Sequence, residues 1–337
     1  MKRTACFVMI AALAAGAVAF GQAADVDKIL AAARAALGGE KKLAGVKTFA
    51  ATGQSTRVMG DQSSAPTDAE LAFELPDRFM KKDVLAAIGS MIITRTSGFN
   101  GDTAINVIDQ PPQTGGNVVM FKFGTGGGAP GELVTSEQKD AEKRAALVSS
   151  RQDFARLSLG ILLASPAAYP LKFAYAGQAE SPDGKADVID VTGDVGFAAK
   201  LFIDQTTHLP LMLSWMAKEP LMLSQMVKGG PGGGASISHG APGGGGGAVQ
   251  VQGEGGKQLT PEERDKLMKD LEAQRKEAEA KRRTVEYRLY YGDYREVDGI
   301  MVPFKLQRSI DGKPSEELTL ENVKVNGRID PREFEVK

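Results

Sequence analysis

Cysteine is almost absent from this chain of 337 residues, and the single thiol is Cys6. Lys2 and Arg3 precede a short apolar run that ends in small residues, and this pattern predicts a secretory signal peptide over residues 1–24. Its removal would leave no thiol, which excludes disulfides, thiolate nucleophiles and cysteine-based metal sites. We therefore expect a protein exported to the periplasm and held together by its core alone.

Histidine, net charge and long apolar runs are scarce as well. The two histidines, His208 and His239, have no second metal ligand at helical or hairpin spacing. Lys and Arg number 41 against 42 Asp and Glu, so nothing favours a nucleic-acid partner. Beyond the signal peptide no stretch is apolar enough to span a bilayer, and no nucleophile stands near a base. The sequence predicts no transmembrane segment in the mature chain, no catalytic residue, no metal and no cofactor.

Apolar residues alternate with polar ones through residues 171–216, in four runs separated by turn signals such as Gly193-Asp194. A period of two is typical of strands with one buried face and one solvated face. Similar runs occur between residues 48 and 108 and again from residue 284, where Asp298-Gly299 marks a turn. The sequence therefore predicts a mostly β (α+β) fold built on an antiparallel sheet with an apolar face.

Two helices are expected before the middle of the chain. Residues 25–37 form a short amphipathic helix that ends at Gly38-Gly39, because glycine accepts the left-handed conformation of a C-cap. Residues from 132 to about 165 form a longer helix that Pro166 ends. Its apolar stripe consists of Leu147, Phe154, Leu157 and Ile161.

An insertion over residues 217–283 interrupts the sheet. It begins with a possible hairpin strand, and 14 glycines within 229–256 predict a disordered linker. A capping box then opens a helix over 261–283 that is charged nearly all round. We expect residues 25–216 and 284–337 to form a single domain, because alternating strands continue on both sides.

Several motifs together resemble the LolA-like superfamily of periplasmic lipoprotein-sorting and lipid-binding proteins. They are LGGEKKLAGVKTF after the first helix, the hairpin turn GFNGDTA, the run IDQTTHLP and the C-terminal REVDGIMVPFKLQRSIDGKPSEELTLENVKVNGRIDPREF. The resemblance implies an unclosed half-barrel whose concave face is covered by helices, and a hydrophobic cavity between them that binds acyl chains without catalysis. The family's arginine that latches the lid has two candidate matches here, Arg57 and Arg78.

These expectations lead to a hypothesis of a non-catalytic periplasmic carrier or binder of lipid or lipoprotein acyl chains. The aromatic and aliphatic residues expected to line the cavity are Phe73, Phe99, Phe173, Tyr175, Leu213, Trp215, Tyr287 and Phe304. The lid would consist of the longer helix, through Leu147, Phe154, Leu157 and Ile161. An alternative is a structural or interaction subunit of a cell-envelope complex, in which the charged helix recruits an envelope protein partner.

Four methionines allow one further interpretation. Met212, Met216, Met222 and Met226 occur in two similar runs, and thioethers suit Cu(I). Methionine is also an adaptable apolar filler in cores and binding clefts, and we favour that interpretation.

Overall fold

The computed structural model describes the chain in segments. These are residues 26–60, 62–88, 91–109, 119–123, 136–164, 169–182, 184–220, 235–238, 247–251, 262, 266, 269, 273 and 277–335. The predicted signal peptide lies outside them, as do most of the predicted linker and much of the charged helix.

One antiparallel sheet contains most of the strands, because the alternating runs predicted from the sequence pair with one another. In chain order the strands of the structure are β1 (Thr48–Met59), β2 (Gln62–Ser63), β3 (Thr67–Glu74), β4 (Arg78–Ile88), β5 (Met91–Asn100), β6 (Thr103–Asp109), β7 (Val119–Phe123), β8 (Leu171–Ser181), β9 (Gly184–Gly193), β10 (Ala198–Asp204), β11 (Pro210–Lys218), β12 (Ala235–Ser238), β13 (Gly247–Val251), β14 (Thr284–Val297), β15 (Ile300–Ile310) and β16 (Lys313–Val325).

The order of strands in the large sheet is β6-β5-β4-β3-β1-β16-β15-β14-β11-β10-β9-β8, with β2 paired to β1. One meander contains β1 and β3–β6, the other contains β8–β11, and the three C-terminal strands β14–β16 join them. The sheet begins at β6 and ends at β8, and these two strands do not pair, so it is not closed. The predicted mostly β fold with one large, antiparallel, unclosed sheet is confirmed; that it is a half-barrel with its concave face covered by helices stays a prediction.

Three α-helices have described bounds: α1 (Val26–Ala36), α2 (Glu40–Ala44) and α3 (Ser136–Ile161). A 3-10 helix, Pro331–Phe334, follows the last strand. The turn after α1 needs glycine at Gly38, because its φ is +129° and a Cβ there would lie 2.5 Å from the Gly299 carbonyl oxygen. No helix among the described residues is long and apolar enough to cross a membrane.

The core lies between one face of the large sheet and the helices α1 and α3. We call this the inner face. Its buried residues form a continuous apolar cluster that reaches from Phe99 on β5 to Ile189 on β9 and includes Leu30 of α1 and Phe154 of α3. Burial of that face, rather than any covalent link in the described chain, organises the fold.

A small second sheet pairs β12 with β13 and β13 with β7. Within the predicted linker, Ala235–Ser238 and Gly247–Val251 form these strands, and backbone pairing there replaces the solvent contacts expected of a glycine-rich chain. The rest of the predicted linker and the repeated methionine run at 222–226 lie outside the described residues.

Candidate functional site

The inner face is filled with aromatic rings near the β6 edge. Phe49, Phe73, Phe79 and Phe99 occupy neighbouring strands, since Phe49 is in register with Phe73, Phe73 with Phe79 and Phe79 with Phe99. Phe154 of α3 packs on three of them, with ring centroids 5.3, 5.1 and 5.7 Å from Phe73, Phe79 and Phe99. Such pairs stabilise beyond their burial alone, so α3 is firmly docked here.

Further along α3, close packing depends on Gly160. A Cβ at this position would lie 2.3 Å from the ring of Tyr291 on β14. The Tyr291 hydroxyl donates to the Arg156 carbonyl oxygen at 2.6 Å, and the Tyr294 hydroxyl is shared between the carbonyl oxygens of Gly160 at 3.1 Å and Pro210 at 2.9 Å. Burial raises the pKa of both tyrosines well above the ordinary value, so both hydroxyls remain donors at neutral pH.

A buried cation of α3 lies over the aromatic pair of β11 and β14. Trp215 stacks on Tyr287 with centroids 5.5 Å apart, and the Arg156 guanidinium is 4.3 Å from the Trp215 centroid. Arg156 also donates to Asp153 at 2.9 Å. Burial lowers the pKa of Arg156, Asp153 opposes that shift, and the neighbouring charge of Arg308 adds to it. Arg156 and Arg308 are thus like charges close together inside the protein.

The inner face is less covered at the opposite edge of the sheet. On the edge strand β8, Leu171, Phe173 and Tyr175 are half-buried, whereas Val191 and Ile189, the register partners of Phe173 and Tyr175, are fully buried. Apolar inner surface is therefore partly accessible along β8.

A band of charged side chains crosses the inner face beside the aromatic cluster, on β1, β4, β5, β15 and β16. Asp83, which is 2 % exposed, accepts from Arg57 at 3.2 Å and from Arg95 at 3.4 Å. Glu316 accepts from Lys81 at 2.8 Å and from the Ser55 hydroxyl at 3.3 Å. We call Arg57, Lys81, Asp83, Arg95, Arg308 and Glu316 the polar band.

The ion pair between Lys81 and Glu316 also indicates that the sheet is curved. Lys81 lies on β4 and Glu316 on β16, with β3 and β1 between them. In a flat sheet three inter-strand steps alone would separate them by at least ~14 Å. Their direct contact therefore requires the sheet to curl around the band.

The charge of Glu316 is maintained by its cationic neighbours. Burial opposes its ionisation, but Lys81, Arg308 and Arg57 outweigh burial and hold the pKa of this carboxyl far below its ordinary value. Glu316 is therefore ionised at neutral pH.

The structure brings the sequence-predicted cavity and lid residues to the same face. Those in the apolar cluster or packed against it are Phe73, Phe99, Leu147, Phe154, Leu157, Ile161, Phe173, Leu213, Trp215, Tyr287 and Phe304. Tyr175 is half-buried at the β8 edge. That these side chains bind a ligand stays a prediction.

Sequence reasoning missed the polar band. The signal was present, because Lys81 and Asp83 continue the alternation of Phe79 and therefore face inward. The same alternation distinguishes the two candidates for the latching arginine. Arg57 lies on the inner face as part of the polar band, whereas Arg78 lies on the other face, where it pairs with Glu74 and both side chains are about one-third exposed.

The described residues do not support a Cu(I) site formed by the methionines. Met212 is buried and Met216 is 63 % exposed, so the two thioethers lie in different environments. Among the described residues no group of three or more histidines, cysteines and carboxylates could hold a metal ion.

A cleft of about 360 Å³ lies on the opposite face of the sheet, beside the 3-10 helix. Most of its lining is charged, and carboxylates prevail: Glu70, Met80, Lys82, Thr96, Val107, Asp109, Asp330, Arg332, Glu333 and Glu335. Burial raises the pKa of Glu333, and the nearby carboxylates of Glu70 and Asp330 add to the rise. This cleft offers no apolar surface comparable with the inner face.

Among solved structures, those similar to this chain include LolA-superfamily and lipoprotein-sorting proteins. A LolA superfamily protein from Nitrosomonas europaea matches with a TM-score of 0.40 and 8% identity over 93% of this chain and 97% of the other. A putative outer membrane lipoprotein-sorting protein domain from Vibrio parahaemolyticus gives 0.41 and 9% over 92% and 97%. A DUF1329 family protein from Desulfovibrio piger gives 0.38 and 7% over 92% and 97%.

At such scores and identities the likeness concerns fold and transfers no ligand or functional residue. No family model matches the chain, and no curated protein matches it.

Proposed function

We propose that the protein is a non-catalytic periplasmic binder of lipid or lipoprotein acyl chains, which it holds on the inner face of the half-barrel. The observation that supports this most directly is the uneven cover of that face. The apolar surface is continuous from β5 to β8, but α3 packs closely on it at one end while Leu171, Phe173 and Tyr175 are half-buried at the other.

Binding would work by partition. Each methylene that moves from water to an apolar surface contributes roughly 0.8 kcal/mol, so a long acyl chain gains useful affinity without any reactive group. The chain would enter along β8, where apolar surface is accessible, and extend towards Leu201 and Leu213 on β10 and β11. Those two side chains are fully buried, so deeper entry requires the apolar face of α3 to move aside.

The hydrogen bonds that dock α3 are few enough to permit that movement. They include the two tyrosine hydroxyls on backbone carbonyls and the bond from Gln152 to the Val195 carbonyl oxygen at 3.3 Å. Each contributes on the order of 1 kcal/mol, and an incoming chain would replace the apolar contacts of the helix. Opening and closing of α3 would then control uptake and release.

Mass spectrometry of an organic extract from natively purified protein tests the proposal. We expect a stoichiometric lipid or acylated peptide. A clean extract, together with no binding of an added fluorescent fatty acid, would contradict it and favour a filled core.

A pair of variants on β8 localises the site. Phe173→Glu places a charge on the half-buried apolar surface and should abolish binding of the fluorescent fatty acid. Ala174→Glu, one residue along on the exposed face, is the matched control and should bind normally. Equal binding by the two variants would exclude β8 as the entrance.

A further inference from the structure

The polar band contains more cations than carboxylates. Asp83 receives both Arg57 and Arg95, and Glu316 is surrounded by Lys81, Arg308 and Arg57. Arg156 of α3 brings another guanidinium close to Arg308, and its own partner Asp153 is 32 % exposed. Five cations thus accompany three carboxylates in this described part of the inner face. Charge removed from water is costly unless it is compensated, so an added negative group would be favourable here.

Two of these guanidinium groups retain unused donors. The side chain of Arg95 is 7 % exposed, and its buried Nε–H has no acceptor among the described residues. The buried Nε–H of Arg156 likewise has no acceptor in that part of the chain. An arginine fork with a free buried donor is suited to a phosphate or carboxylate oxygen, which accepts strong, charge-assisted hydrogen bonds.

The band continues directly into apolar surface. In the register of the sheet Glu316 faces Arg308, and Arg308 faces Leu289. The same row then proceeds through Leu213, Leu201 and Ile189 to Tyr175 on the edge strand. From Arg308 to Tyr175 there are five inter-strand steps, or about 24 Å along the sheet. One row across the inner face is thus cationic at one end and apolar over the remainder.

We infer that the ligand is an anionic amphiphile, whose phosphate or carboxylate head is held by the cations around Arg308 and Arg156 while its acyl chain extends along the apolar row towards β8. This inference rests on the proposed function and specifies the class of lipid. The head supplies the negative charge that the band lacks, and the adjoining apolar row receives the chain.

The test compares two lipids that differ only in the head. Oleoyl lysophosphatidic acid and 1-oleoylglycerol share one acyl chain, and only the first has a phosphate. Displacement of a neutral fluorescent naphthylamine from the full mature protein measures both affinities. Hydrogen bonds to charged groups predict that lysophosphatidic acid binds roughly tenfold more tightly or better.

A variant locates the effect. Arg156→Met keeps an apolar stem over Trp215 and removes a buried, poorly compensated charge, so the variant should fold. We expect it to lose most of the preference for the phosphate while binding 1-oleoylglycerol as before. Arg295→Met is the control, because Arg295 also lies over a ring, that of Phe304, but is 54 % exposed and pairs with Asp293.

Each result decides between explanations. Equal affinity of the wild-type protein for the two lipids would overturn the head-group site and leave the acyl-chain function standing. Displacement by neither lipid would overturn the proposed function, and this inference with it. Glycerol phosphate binding as tightly as lysophosphatidic acid would indicate a site for free phosphates, not for an amphiphile. An undiminished phosphate preference in Arg156→Met would remove Arg156 from the site.

Discussion

Replacement of Gly160 by alanine tests whether close contact with the sheet holds α3 in place. In an isolated helix this change stabilises by about 1 kcal/mol, because glycine is the poorer helix former. Here the new Cβ would lie 2.3 Å from the ring of Tyr291, which is fully buried and cannot swing into solvent. Overpacking of this kind costs about 1–3 kcal/mol.

The clash also disturbs two hydrogen bonds. If α3 shifts away from β14, the Tyr291 hydroxyl loses the Arg156 carbonyl oxygen, at about 1 kcal/mol, whereas the Tyr294 hydroxyl exchanges the Gly160 carbonyl oxygen for that of Pro210 on β11. After subtraction of the gain in helix propensity, we expect Gly160→Ala to lower the free energy of unfolding by roughly 1–3 kcal/mol. Helix propensity alone predicts an increase in the free energy of unfolding, whereas the clash predicts a decrease. The sign of the measured change therefore decides between them.

Urea denaturation gives the stability, and hydrogen exchange of the α3 amides shows whether the helix has loosened. Gly327→Ala is the control, since a Cβ there meets only Lys324 at an ordinary 3.5 Å. If α3 is the lid, Gly160→Ala should also take up the neutral naphthylamine faster than wild type. A stabilised variant with unchanged exchange in α3 would refute the reasoning.

Three further predictions concern packing and charge. Phe154→Ala should lower the free energy of unfolding by about 3–5 kcal/mol in urea denaturation, whereas Met216→Ala at an exposed position should change it by less than about 0.5 kcal/mol. Glu316→Gln should reduce the loss of stability at acid pH. The pKa of Glu316 is lowered in the folded state, so the stabilisation from its charge is complete above the ordinary pKa of 4.5 and is lost as the pH falls below that value. Urea midpoints of the variant and the wild type between pH 7 and pH 3 measure this difference. Arg57→Gln should cost about 3–5 kcal/mol because it breaks a buried pair, whereas Arg78→Gln should cost at most about 1 kcal/mol, and equal urea midpoints would contradict the inward placement of Arg57.

The strands could be predicted from the sequence because one face of each is buried. Alternation at Phe173, Ile189, Leu201 and Leu213 is visible without a structure, and the register of the sheet indeed places the last three in one row. The helix α3 could be predicted for a similar reason, and its observed span, Ser136–Ile161, falls within the predicted 132–165. Local periodicity is sufficient wherever burial alone decides the structure.

Pairing between distant segments could not be predicted in this way. β7 pairs with β13, more than 100 residues further along, and a glycine-rich composition conceals β13. The aromatic contacts of Phe154 likewise depend on the angle at which α3 crosses the sheet, and periodicity contains no information about that angle.

The polar band is the most informative departure from a simple apolar interior. Buried ion pairs seldom stabilise a protein relative to well-packed apolar residues, so a core that served stability alone would continue the apolar alternation through Lys81, Asp83 and Arg95. Instead these strands carry charges of both signs on the inner face, and Asp83, Arg95 and Glu316 are buried there. The row that passes through Arg308 becomes apolar at Leu289. A ligand with a negative head and an apolar chain would match that change of character at the point where it occurs. The comparison of lysophosphatidic acid with 1-oleoylglycerol is therefore the measurement on which this explanation of the band depends.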